Sequence, residues 1–144
     1  TNFIPVTPTT NVFTLRDAGG TFIDVATASV GCDSSSVWVP SLAICAPLPT
    51  ITIVADPNVI RSGTSATLDI EIDALYDLTC TLNDGGGVRN LNHTGAATPT
   101  PYSEVTRNLT SAQIVTIECT SVLYPPVTGS GEARVNVVPT IQEI

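Results

Sequence analysis

The 144-residue chain has no lysine and no methionine, one histidine and one tryptophan, and only 12% of its residues are charged. Each shortage removes a class of function. Without lysine there is no amine for a Schiff base, for a Lys–Asn isopeptide cross-link or for lysine-dependent covalent polymerisation of pilins. His93 alone would have to serve any Ser-His-Asp arrangement, and no GxSxG, HExxH or phosphate-cradling glycine loop occurs. The chain is therefore expected not to be an enzyme, with His93 solvated in a polar loop. No window keeps apolar residues at helical spacing for three turns, and the start lacks the long apolar helix of a helical pilin. No apolar run approaches the length of a membrane-spanning helix, so membrane insertion is not expected. Beginning at Thr1, without an initiating methionine or a signal peptide, the sequence reads as a processed or excised chain.

Positive charge is scarce too. Five arginines face thirteen acids, for a net charge of −8, so the surface repels nucleic-acid phosphates and anionic headgroups. No nucleic-acid partner is expected. Metal-ligand spacing is also missing, since no CxxC or His/Cys cluster appears. The acids Asp69, Glu71, Asp73 and nearby Asp77 invite a calcium reading. Side chains two apart on a strand spread along it rather than closing on one ion, so a solvated strand face is favoured. Asp33-Ser34-Ser35-Ser36 starts like an integrin-type metal motif, but Val37 fills the second required serine position. The expected cofactor set is empty.

What is abundant points to β-structure. Threonine, valine and isoleucine dominate, with proline and glycine punctuating regularly, a mix that fits pleated strands joined by turns. Residues 1–10 carry Pro5 and Pro8 and read as an extended arm. Residues 11–16 and 21–26 flank Asp17-Ala18-Gly19-Gly20 as a hairpin, with Phe13 and Leu15 sharing a face with Ile23 and Val25. Residues 31–49 read as a Pro/Ser-rich loop, with Trp38 packed near a bridge between Cys32 and Cys45. From Thr50 the period-2 pattern is clear. Ile51, Ile53 and Ala55 share one face; Leu68, Ile70 and Ile72 point opposite to Asp69, Glu71 and Asp73. Leu78, Cys80 and Leu82 continue it, then Val115, Ile117 and Cys119, then Ala133, Val135 and Val137, with a strand near residues 102–107. Six or seven short strands over about ninety residues are best buried as two packed antiparallel sheets.

Four cysteines, Cys32, Cys45, Cys80 and Cys119, allow three pairings and favour disulfides in an oxidising, extracellular compartment. Paired as Cys32–Cys45 and Cys80–Cys119, they would contribute about 3 and 4 kcal/mol by loop-closure entropy. Asn92-His93-Thr94 and Asn108-Leu109-Thr110 are glycosylation sequons, about the number chance supplies in a chain so rich in Ser and Thr, and they permit glycans at Asn92 and Asn108.

A small phrase recurs. Pro49-Thr50-Ile51-Thr52-Ile53 opens the clear strands and Pro139-Thr140-Ile141-Gln142-Glu143-Ile144 follows them, a spacing that fits one small β-domain and suggests a tandem array. Residues 49–139 resemble the immunoglobulin-like repeats of bacterial and archaeal surface proteins. The resemblance rests on the opening phrase, Ala55-Asp56-Pro57, Ser62-Gly63, Ala66-Thr67-Leu68-Asp69-Ile70, Leu78-Thr79-Cys80-Thr81, Val115-Thr116-Ile117-Glu118-Cys119-Thr120 and Ala133-Arg134-Val135-Asn136-Val137, in that order. Ile117 stands where antibody-type domains keep their corner tyrosine. Cys80 falls on the third strand rather than the second, so the expected bridge joins neighbouring strands of one sheet.

The expected fold is all-β: an immunoglobulin-like antiparallel β-sandwich over 49–139, an N-terminal extension of arm, hairpin and disulfide-closed loop over 1–48, and 140–144 as linker or next strand. The expected role is a structural subunit or repeat of an extracellular, cell-surface filament, pilus or stalk, whose partners are copies of itself held non-covalently. A strand lent from residues 3–16, through Phe3, Val12, Phe13 and Leu15, would hide an open sheet edge. The alternative is an adhesin-type or carbohydrate-binding module presenting Trp38, Tyr76, Tyr102 and Tyr124.

Overall fold

The alternation read from the sequence becomes twelve strands. They are β1 (Thr9–Arg16), β2 (Phe22–Val30), β3 (Ser36–Val39), β4 (Ile44–Pro47), β5 (Thr50–Asp56), β6 (Val59–Arg61), β7 (Thr67–Asp73), β8 (Leu78–Asn83), β9 (Val88–His93), β10 (Thr100–Val105), β11 (Gln113–Ser121) and β12 (Thr128–Val138). The computed structural model describes residues 9–123 and 126–141, and no helix occurs among them. The arm with Phe3, the residue Tyr124 and the positions 142–144 lie outside the described residues. The chain divides into two units, Thr1–Pro47 and Leu48–Ile144.

In the first unit β1 and β2 form one antiparallel hairpin and β3 and β4 another. Residues 31–49, expected as loop, thus contain a short ladder, with Val37, Val39 and Ala46 buried. The turn ahead of β3 is organised by Asp33, whose Oδ1 accepts from Ser35 N–H at 3.0 Å and from the hydroxyls of Ser35 and Ser36 at 2.8 and 2.6 Å. Those hydroxyls, Ser36 first, hold the Asp33 carboxyl below the usual carboxylate range. Cys32 and Cys45 are bonded.

The β1–β2 register corrects one expectation. Val25 faces Thr14 and Asp24 faces Leu15, and the ladder then shifts so that Arg16 faces Phe22. Directly opposed residues share a face, so Val25 sides with Thr14, while Phe13 and Leu15 side with Asp24. The irregularity beside the turn moves the register by one position, and in a period-2 element one position reverses the face.

The second unit holds a three-stranded sheet, β10-β7-β5, and a five-stranded sheet, β6-β12-β11-β8-β9. Pairing is antiparallel throughout except for β6, which lies parallel to β12. Each sheet buries one face: Ile51, Ile53, Leu68, Ile70 and Ile72 from the first, Leu78, Leu82, Val115, Ile117 and Val135 from the second. An all-β unit with two half-buried sheets is consistent with a β-sandwich. It contains eight strands, exceeding the six or seven expected, because β6 and β9 carry too few inward apolar residues to announce themselves. Cys80 and Cys119 oppose each other directly on β8 and β11 and are bonded, their Cα atoms 4.0 Å apart.

Small residues set how closely elements approach. A Cβ at Gly131 of β12 would lie 3.1 Å from the carbonyl oxygen of Ile51, and one at Gly129 would lie 2.9 Å from Ile51 Cδ1. These glycines let the first half of β12 run beside β5. The second half pairs with β6, with Val138 opposite Arg61. Because β5 starts opposite Asp73 and β12 finishes beyond Asn58, the chain comes into this unit at one pole and leaves at the other.

Candidate functional surfaces

The most exposed apolar ground is the β1–β2 hairpin. Val12, Phe13, Leu15, Phe22, Ile23 and Val25 are 44–65% accessible to solvent, and they occupy both faces of the ladder. A two-stranded hairpin cannot bury two faces against itself, and large contiguous apolar patches on soluble proteins mark contact sites. Val12, Phe13 and Leu15, expected as a lent strand, are paired with β2 along their own hairpin. What the chain can offer a neighbour here is a two-stranded ladder.

The flank where β9 and β10 meet is polar and buried. His93 is only 2% exposed, which corrects the expectation of a solvated side chain. Leu91 and His93 alternate inward on β9, and this strand was read as loop. His93 Nε2 lies 3.2 Å from the Ala74 carbonyl oxygen and Nδ1 lies 2.9 Å from the Tyr102 hydroxyl. A carbonyl only accepts, so Nε2 carries the proton and Nδ1 accepts from Tyr102. Both ring nitrogens are thereby engaged in structural bonds. Burial pushes the Tyr102 and Tyr76 phenols above their usual range.

Asp84, just ahead of Gly85-Gly86-Gly87 and unmarked by any motif, is the buried carboxylate of the same flank. Its side chain is fully shielded from solvent. Oδ2 accepts from Arg107 N–H at 2.9 Å and Oδ1 from Gly86 N–H at 3.3 Å. Arg89 Nη2 stands 3.5 Å away and reaches Glu104 with its other terminal nitrogen at 3.3 Å; Arg107 also bonds the Gly86 carbonyl. The signal was present in the two arginines, 89 and 107, but nothing in their spacing showed that they converge. This cluster ties the β8–β9 turn to the end of β10 and sets two arginines against the buried carboxylate.

Asp69, Glu71 and Asp73 are exposed and alternate with buried Leu68, Ile70 and Ile72, as a solvated face requires. Asp77 is occupied elsewhere, accepting from Gly95 N–H at 2.9 Å. Among the described residues no group of three or more His, Cys, Asp or Glu is placed to hold a metal ion. A shallow groove of about 520 Å³ runs over this sheet past Val54, Glu71, Pro101 and Tyr102. Tyr76 is buried in the core and does not join Tyr102 on that groove; in the first unit Trp38 sits directly across the β3–β4 ladder from Cys45.

Asn92 is exposed on β9, and Asn108 is exposed after β10. The two disulfides fit an oxidising, secreted environment, and no described helix is long and apolar enough to cross a membrane. Neither the models of known protein families nor the curated proteins contain a match to this chain.

Proposed function

We propose that the chain is a structural link of an extracellular filament, pilus or surface stalk, with copies of itself as partners. The observation that carries this reading is the β1–β2 hairpin, which presents six large apolar side chains on two faces. Such a surface gains about 25 cal/mol for each Å² covered, enough for non-covalent association when both faces are buried. Its outer edges can also extend a neighbour's sheet, adding backbone hydrogen bonds to the apolar contact. Opposed poles for the incoming and outgoing chain support head-to-tail stacking. The recurring segment strengthens this: Pro49 immediately precedes β5 and Pro139 immediately follows β12.

An immunoglobulin-like assignment accompanies the proposal. Support comes from taking β5, β7 and β10 as strands A, B and E, and β8, β11 and β12 as C, F and G, with β9 as an added C′ and strand D without a counterpart among the described residues. The bridge joins C to F within one sheet, where antibody domains join B to F across sheets.

Electron microscopy of the native material should show a periodic fibre. Replacing Phe13 and Ile23 with serine should convert fibres into separate particles without lowering the melting temperature of the Leu48–Ile144 unit. Isolated particles in native material, together with a monomeric mass at high concentration, would overturn the reading.

A further inference from the structure

Both Asn-x-Thr sequons of the Leu48–Ile144 unit present an exposed asparagine, and we infer that Asn92 and Asn108 each carry an N-linked oligosaccharide. Asn92 lies on β9, the outermost strand of the five-stranded sheet; Asn108 follows β10, an outer strand of the three-stranded sheet. These strands meet through His93–Tyr102 and Arg89–Glu104. Asn92, level with Thr79, stands near the end of the unit where β12 begins, and Asn108 stands at the other end, beside Gly63 and Thr64. In both sequons the middle residue, His93 or Leu109, is the buried anchor, so the asparagine and its partner Thr94 or Thr110 face solvent. Leu109 is fixed further by backbone bonds of 2.8 Å to Thr64 and from Gly63, which gives Asn108 a rigid base. Asn83 and Asn136 use their carboxamide oxygens in exposed local bonds, accepting from Gly85 N–H and Arg134 Nε; those of Asn92 and Asn108 have no partner among the described residues.

The chemistry is a transfer from a lipid-phosphate-linked oligosaccharide. Asn Nδ2 gives up a proton to the transferase and bonds to the anomeric carbon. The bond from that carbon to the donor phosphate breaks, and the phosphate leaves with the electron pair. An exposed edge strand is a template for unwanted pairing. A sugar at Asn92 blocks strand addition to the edge strand β9. The inference does not depend on the filament reading, since it rests on acceptor chemistry and accessibility.

The test is site-resolved mass spectrometry of the native protein after enzymatic release of N-glycans in ¹⁸O-water, which marks each former acceptor as labelled aspartate. Both positions should be labelled, and Asn92→Gln or Asn108→Gln should each lower the intact mass by one oligosaccharide. Thr94→Ala and Thr110→Ala should do the same while keeping the asparagine. Unmodified asparagine as the main species at either position overturns the paired assignment. Glycan removal should raise light scattering at constant concentration; unchanged scattering overturns the shielding role.

Discussion

The β1–β2 hairpin and the β8–β11 pair are both antiparallel ladders, yet they treat apolar side chains in opposite ways. On β8 and β11 the residues Leu78, Leu82, Val115 and Ile117 all turn to one face and are buried, and a disulfide between Cys80 and Cys119 fixes their register. On β1 and β2 the residues Val12, Phe13, Leu15, Phe22, Ile23 and Val25 are split between two faces and stay exposed. The first pair is stabilised by what its own chain packs against it. The second leaves its large apolar side chains open to solvent. A period-2 pattern therefore reports burial only when a second layer exists to receive the apolar face.

The comparison breaks most visibly at the buried end. Leu68 has no solvent exposure, so Leu68→Ala should cost about 2–5 kcal/mol in denaturant unfolding. Phe13→Ser on the hairpin should stay within about 0.5 kcal/mol in the same measurement while reducing self-association in sedimentation. Equal losses at the two positions would mean that the hairpin is part of the core. Removing the Cys80–Cys119 bridge by paired alanines should cost about 4 kcal/mol and lower the melting temperature. Loss of the Cys32–Cys45 bridge, with its shorter loop, should cost about 3 kcal/mol.

Gly95 offers a steric test. A Cβ there would meet the backbone of Leu75 and Tyr76 at 2.6 Å, so Gly95→Ala should destabilise the unit by about 1–3 kcal/mol in thermal unfolding. Tyr102→Phe should cost about 1 kcal/mol, because His93 Nδ1 loses its donor while Nε2 keeps Ala74. The smallest effect is the pH response of Asp33. Its carboxyl is depressed in the folded state, so its contribution is present above about pH 4 and fades as pH falls through the lowered value. Asp33→Asn should flatten that part of the acid-unfolding curve slightly.

Legibility followed the number of apolar residues on the inward face. β5, β7, β8 and β11 each place three or more apolar residues inward, and their alternation showed directly in the sequence. β9 places only Leu91 and His93 inward, and a histidine at an apolar position reads as a loop residue. β6 has three residues and one buried side chain, too short for any periodicity. Asp84 and His93 were out of reach for a different reason: their partners, Arg107 and Ala74, lie far along the chain and are brought close only when β8, β9 and β10 assemble.

By itself the sequence determined the material of this protein: β-branched strands, a chain without lysine, and four cysteines able to pair. Those follow from composition and local period, which need no partner strand to be read. Only the tertiary structure decided which face of the first hairpin each apolar residue takes, which polar groups are buried, and that the asparagine of each sequon faces solvent. Such features depend on register and on contacts between distant segments, and a one-residue shift at a bulge is enough to reverse them.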